Sequence, residues 1–155
     1  MEKAYSSIFI QIIFSVNSRK NLIPQENLEE VFEYIAGIIR NKGLNPVIVG
    51  GVSGHIHVFV ELKPEVVVSN MVRDIKNISA KFVNQEKWMP EKFSWQNGFG
   101  AFSYGKSQVE QVHNYIKTQA ELHKTKTFRE EFVAFLEKFN VEYEENGLPP
   151  EIETT

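Results

Sequence analysis

Residues 54–62 read GHIHVFVEL, and this short stretch limits the fold more than any other. Successive side chains of an extended chain point to opposite faces. Ile56, Val58, Val60 and Leu62 therefore line one side, and His55, His57, Phe59 and Glu61 the other. Four aliphatic residues on one face demand a covering layer. The opposite face places two imidazoles in an otherwise strongly apolar strand, where polar groups need partners.

The flanking sequence supplies companions for this strand. Residues 7–16, SIFIQIIFSV, predict a first strand, with Ile8, Ile10, Ile12, Phe14 and Val16 on one face and Phe9, Gln11 and Ile13 on the other. Leu28, Val31, Phe32, Ile35, Ile38 and Ile39 recur at helical spacing and predict a helix over about 25–42, with Gly43 where a C-cap belongs. Residues 46–50 predict a short strand, followed by a turn at Gly50-Gly51. A second helix is expected over about 66–87, an irregular aromatic loop over 88–98, and a strand over 99–104. The order β-α-β-β-α-β is that of a split βαβ, ferredoxin-like domain. The expected class is thus α+β: a four-stranded antiparallel sheet with helices on one face.

Additional C-terminal helices follow. Ser107 and Glu110 fit a capping box that starts a third helix running to about 122. Thr127 and Glu130 fit a second box, starting a fourth helix with Phe128, Phe132, Phe135, Leu136 and Phe139 along one side. From Glu142 the chain is acidic, contains Pro149-Pro150, and is expected to fray.

With 155 residues the chain suffices for one domain with a core. It contains no Cys, which excludes a disulfide scaffold, a cysteine nucleophile and a thiolate metal site. No apolar run is long enough for a bilayer span and the N-terminus has no secretory cleavage pattern, so a cytoplasmic location without a membrane partner is expected. The formal net charge of -3 conceals an asymmetry. Residues 1–129 hold 16 Lys/Arg against 12 Asp/Glu, whereas residues 130–155 hold 1 against 8. A mildly basic body with an acidic end permits a phosphate-bearing partner without requiring one.

His55 and His57 share a strand face and suit convergence on one divalent ion. Tyr115 and Gln119, spaced i,i+4, share a helix face. Residue types alone leave other readings open: a satisfied buried histidine, a tyrosine at a helix edge, a surface amide. Arg19, Lys20, Arg73, Lys76, Lys81 and Lys117 are candidates for neutralising DNA phosphates. Of the aromatic residues 88, 95, 99 and 104, Trp95 is the DNA-facing candidate for stacking on an unpaired base, and Phe99 is expected in the core.

The run of FSVNSRKNLI, GHIHVFVEL, FSWQNGFGAFSYGKSQ and NYIKTQ, in this order, resembles the IS200/IS605-like single-tyrosine transposases and the related REP-associated tyrosine transposases. The likeness spans about residues 5–140. It implies a transposase domain of the HUH type over 1–140, followed by an acidic, flexible tail over 141–155. It also implies that His55 and His57 are the histidines of the family's His-hydrophobic-His motif, Gln119 the third metal ligand, and Tyr115 the catalytic tyrosine. The implied cofactor is Mg²⁺ or Mn²⁺. The implied partners are single-stranded DNA with hairpin structure and a second copy of the chain, and the protein would be nucleoid-associated when bound to DNA. The implied chemistry is cleavage and rejoining through a 5′-phosphotyrosine. The alternative is a domesticated, non-catalytic single-stranded nucleic-acid-binding protein of the same fold. Two departures stand out. Gly54 replaces an acidic residue common before the first His, leaving that ring without an expected orienting carboxylate. Leu122 interrupts the E-H-H that follows the Gln in many relatives.

Overall fold

The computed structural model describes residues 3–152. Strands β1 (Ile8–Ser15), β2 (Asn45–Val52), β3 (His55–Leu62) and β4 (Gly100–Tyr104) form one antiparallel sheet in the order β2-β3-β1-β4. This is the expected ferredoxin-like arrangement, with β1 and β3 at the centre. Helices α1 (Leu28–Asn41) and α2 (Val68–Glu86) provide the two crossovers. They bury the aliphatic face of the sheet: Ile12, Phe14, Val16, Ile56, Val58 and Val60 meet Val31, Ile35, Ile39, Val72 and Ile75. The chain leaves α1 through Gly43 at φ +76, and Leu44 N–H reaches back to the Ile39 carbonyl at 3.2 Å. This satisfies a helix-end carbonyl in the left-handed turn that Gly favours.

Helices cover both faces of the sheet, not one. The second face carries Phe9, Ile13, Phe59, Phe102 and Tyr104, which form a core with Val112, Ile116, Phe128, Phe135 and Leu136. Those last residues lie on α3 (Val109–Lys117) and α5 (Phe128–Lys138), with the single turn α4 (Gln119–Leu122) between them. The reason was visible in β1, whose two sides are both apolar: a sheet with two apolar faces needs two covering layers.

Three local expectations are revised. Gly50 and Gly51 belong to β2, and the hairpin turns at Ser53-Gly54. At Gly50 an added Cβ would lie 2.9 Å from Ile116 Cγ2 and 3.1 Å from the Ile116 carbonyl oxygen, so this glycine lets the end of α3 pack against the sheet. Ser107 does not cap α3; it lies within a 3-10 turn, Lys106–Gln108, in which the Gly105 N–H donates to the Gln108 side chain at 2.9 Å. The expected third helix also breaks at Thr118, whose hydroxyl donates to the Asn114 carbonyl at 2.9 Å. Such back-bonding competes with the helical ladder and bends helices. The second capping box is present: Thr127 Oγ1 accepts from Glu130 N–H at 3.1 Å, and Thr127 N–H donates to the Glu130 carboxylate at 2.9 Å.

Residues 88–98 are not wholly irregular. Gln96 N–H donates to the Ser15 carbonyl at 2.8 Å and Asn17 N–H to the Ser94 carbonyl at 3.0 Å, extending the sheet beyond β1. After α5, Leu148 packs against the second core and Arg129 reaches the Glu145 carbonyl at 3.2 Å. Among the described residues, no helix is long and apolar enough to cross a membrane.

Candidate metal and nucleophile site

The second face of the sheet holds the polar centre. His55 and His57 point from β3 under α3, α4 and α5, and both are fully buried. Their rings are oriented by different means. His57 Nδ1 lies 2.7 Å from Gln11 Oε1, while the Gln11 amide nitrogen donates to Tyr104 Oη at 3.0 Å. The Gln11 oxygen is therefore an acceptor, His57 carries its proton on Nδ1, and the lone pair of Nε2 is left facing inward. His57 Nε2 has no hydrogen-bond partner. The ring of His55 stacks on Phe128, with centroids 4.0 Å apart and planes at 20°. Its Nδ1 is also unpartnered. With Gly54 before it, His55 lacks the hydrogen bond that usually orients a metal-binding imidazole, and aromatic stacking holds its plane instead.

Gln119 brings its oxygen to this pair. Gln119 Oε1 lies 2.9 Å from His55 Nε2, and its amide nitrogen donates to Glu131 Oε2 at 2.8 Å. Glu131, on α5, is the centre of the cluster. Its Oε1 lies 3.4 Å from His55 Nε2 and 3.5 Å from His57 Nε2, and it is almost completely buried. The Tyr115 hydroxyl donates to Oε2 of the same carboxylate. His55, His57 and Glu131 each present a ligand atom within 4.8 Å of the others. Two inward imidazole nitrogens, an amide oxygen and a carboxylate are a donor set suited to a divalent cation. The unpartnered Nε2 of His57 supports the fit, since a buried lone pair without a donor costs free energy that a cation would recover.

The electrostatics follow from this crowding. Burial pushes the His55 imidazole down to about 4, partly opposed by the facing Glu131 carboxylate and assisted by His57 and His123. Burial alone would raise Glu131; the facing rings of His123, His55 and His57 outweigh it and hold the carboxyl well below its usual range. Burial, and then the Glu131 charge, raise Tyr115 well above a free phenol. Tyr115 thus rests as a neutral hydroxyl donating to a carboxylate.

The family model for IS200-like transposases matches residues 4–119, from before β1 to the first residue of α4. The chain belongs to that family. Two solved structures share its fold. One is a protein of Deinococcus radiodurans R1 assigned as a transposase, 17% identical, covering 77% of this chain and 98% of its own, with a TM-score of 0.60. The other is a REP-associated tyrosine transposase bound to a REP hairpin, 13% identical, covering 79% of this chain and 73% of its own, with a TM-score of 0.59. A search of curated proteins returns no match.

In this IS200-like transposase the four expected site residues, His55, His57, Tyr115 and Gln119, converge within one chain, although Thr118 separates the helices that carry the last two. The expected DNA-facing residues are more dispersed. Arg19, Lys20, Arg73, Lys81 and Lys117 are exposed. Lys76 is already engaged: its ammonium donates to the carbonyls of Gln96 and Gly98 at 2.8 and 2.5 Å, tying α2 to the loop. Trp95 is a core residue, with its ring edge-on to Phe14 and Phe93 and its indole N–H donating to Ser79 at 3.0 Å. As placed, it offers no face to a base. Phe99, by contrast, is exposed, not buried in the core.

Sequence reasoning missed Gln11, His123 and Glu131. Each carried a signal. Gln11 is the polar residue on the second face of β1. Glu131 interrupts the apolar stripe of Phe128 and Phe135 at i+3 and i-4, and an acid within such a stripe needs a buried partner. His123 follows Gln119 by one helical turn and so shares its direction.

The His55 shift predicts the acid behaviour of the metal-free protein. The unfolded imidazole titrates near 6.5 and the folded one near 4. Between these values the unfolded chain binds a proton that the folded chain refuses, so stability decreases as the pH is lowered. The contribution is complete above pH 6.5 and is lost on the way to pH 4, amounting to roughly 3 kcal/mol. Denaturant melts of chelator-treated protein across this window measure it. Replacing His55 with Gln should flatten the slope, and an unchanged slope in that variant would contradict the assignment.

Proposed function

We propose that this transposase cleaves and rejoins single-stranded DNA at hairpin-flanked ends, with Tyr115 as nucleophile and a divalent cation held by His55, His57 and Gln119. One observation carries the reading: the Tyr115 hydroxyl and the inward imidazoles meet at the same buried carboxylate. A cation there would polarise the scissile phosphate and stabilise the departing oxygen. The Tyr115 oxygen attacks phosphorus, the bond from phosphorus to the 3′-oxygen breaks, and that oxygen leaves as a free 3′-hydroxyl after taking a proton. The tyrosine joins the 5′-phosphate, and the reverse steps rejoin strands. Glu131 Oε2 accepts from the hydroxyl, fixing the attacking oxygen and standing ready for its proton.

Access for the phosphate is provided beside Tyr115. A cavity of about 250 Å³ is lined there by Tyr115, Glu131, Gln108, Gln111, Lys126 and Lys138. The two lysines add positive charge where an anionic strand would enter. Arg19, Lys20, Arg73, Lys81 and Lys117 remain proposed contacts for the flanking DNA. A homodimer is part of this reading through the family resemblance; within one chain the Tyr115 hydroxyl and the histidines share the Glu131 carboxylate.

The test is covalent capture. Single-stranded hairpin oligonucleotides from the DNA flanking the gene, mixed with protein and divalent metal, should yield a 5′-linked adduct resistant to denaturation. At limiting metal, His55→Ala should reduce adduct formation at least about tenfold. Hairpin binding without any adduct would favour the non-catalytic reading, and full activity of His55→Ala would remove the metal from the reading.

A further inference from the structure

His123 lies beyond the matched family residues, at the exit of α4, and its ring is almost completely buried. Its Nδ1 is 2.7 Å from the Lys126 carbonyl oxygen, which accepts only, so Nδ1 carries the proton. In the neutral ring Nε2 is then a lone pair. That lone pair faces two further acceptors, Gln119 Oε1 at 3.0 Å and Glu131 Oε1 at 3.0 Å. The Gln119 oxygen is fixed as an acceptor because its amide nitrogen is given to Glu131. Three lone-pair atoms pointed at one another require a positive charge between them, supplied by a proton on His123 or by a bound cation.

The same holds for His57, whose Nδ1 is committed to Gln11 and whose Nε2 lone pair faces Glu131. His55 Nε2 to Gln119 Oε1 is 2.9 Å, and Glu131 Oε1 stands 3.4 and 3.5 Å from His55 and His57 Nε2. Atoms ligating one ion at about 2.1 Å lie about 3.0 Å apart at right angles and about 3.4 Å apart in a tetrahedron. Each of these separations suits two ligands of one ion, and His123 joins the His55, His57 and Glu131 group through Gln119 and Glu131.

We infer that His123 and Glu131 complete the cation site, making a cage of three imidazoles, one amide oxygen and one carboxylate that takes a transition-metal dication in preference to Mg²⁺. This inference rests on the metal reading of His55 and His57 but not on the DNA chemistry. The preference follows from the donors. Mg²⁺ favours oxygen, demands near-ideal octahedral geometry and keeps several waters. Imidazole suits Zn²⁺, Co²⁺ and their neighbours, and Mn²⁺ binds such nitrogen sites more weakly within that series. Five protein donors would leave one octahedral position for a phosphate oxygen. Glu131 also ties that sphere to the nucleophile, with Oε1 in the cage and Oε2 on the Tyr115 hydroxyl.

The experiment uses the full chain, stripped with chelator and titrated by calorimetry with Zn²⁺, Co²⁺, Mn²⁺ and Mg²⁺ separately. Zn²⁺ or Co²⁺ should bind at least 100-fold more tightly than Mg²⁺. His123→Ala and Glu131→Gln should each weaken Co²⁺ binding about 10–100-fold, with circular dichroism showing whether each variant folds. X-ray absorption of the Co²⁺-loaded native protein counts imidazoles without relying on any variant. Three rings support the cage; two rings, or Mg²⁺ bound as tightly as Co²⁺, overturn it while leaving the His55/His57 site standing. No metal uptake at all overturns both readings.

Discussion

Replacing Tyr115 with Phe will abolish the covalent protein–DNA adduct while leaving the fold and metal uptake intact. The phenyl ring keeps the contacts that place α3, edge-on to His57 at 6.1 Å and to Phe135 at 5.8 Å. The lost hydroxyl made one hydrogen bond, to Glu131 Oε2, and that oxygen still accepts from Gln119 at 2.8 Å. Stability should therefore change by no more than about 1 kcal/mol. Strand cleavage should fall on the order of 10³-fold or more, because among the described residues no other hydroxyl donates to this carboxylate. Gel-shift affinity for the same hairpin measured alongside the adduct separates the two effects. A persistent adduct in a folded Tyr115→Phe protein would assign the nucleophile elsewhere. An equal loss of hairpin affinity would make Tyr115 a binding residue instead.

The contrast between what was legible in this sequence and what was not has a physical basis. The alternation in β1 and β3 is local and enforced by burial, so the face carrying His55 and His57 could be assigned from the order of residues alone. The pairing of Gly50 and Gly51 with β3 could not. Adjacent glycines suggest a turn, but here they permit close approach, by Ile116 in one case and by the hairpin backbone in the other. Tyr115 and Gln119 were expected on one helical face and do reach one site. The bend between them comes from the Thr118 hydroxyl competing for a carbonyl, a choice periodicity does not reveal. Glu131 was the largest omission. It arrives on α5, 12 residues after Gln119, and its partners lie on β3, α3 and α4. Only its place in an apolar stripe hinted that it was buried, and no local pattern named the histidines that would neutralise it.

Gly51→Ala tests how strictly the histidine strand depends on its hairpin. Gly51 has φ +144, a region that side-chain-bearing residues rarely enter, and an added Cβ would lie 2.3 Å from the His55 carbonyl oxygen. Both atoms belong to the paired backbone of β2 and β3, so no rotamer change relieves the clash. Either the ladder opens between Gly51 and Ile56 or the first histidine is displaced. The backbone strain and the lost pairing together should cost about 3–5 kcal/mol. Metal affinity should fall further than stability alone explains, since His55 moves while His57, one pair further in, keeps Gln11. Gly37→Ala is the matched control. It lies inside α1 with nothing within 4 Å of its added Cβ, and should stabilise the protein by about 0.5–1 kcal/mol through helix propensity. Denaturant melts and Co²⁺ titrations of both variants decide the matter. A Gly51→Ala protein as stable as Gly37→Ala would mean that this hairpin does not hold His55 where the cation site needs it.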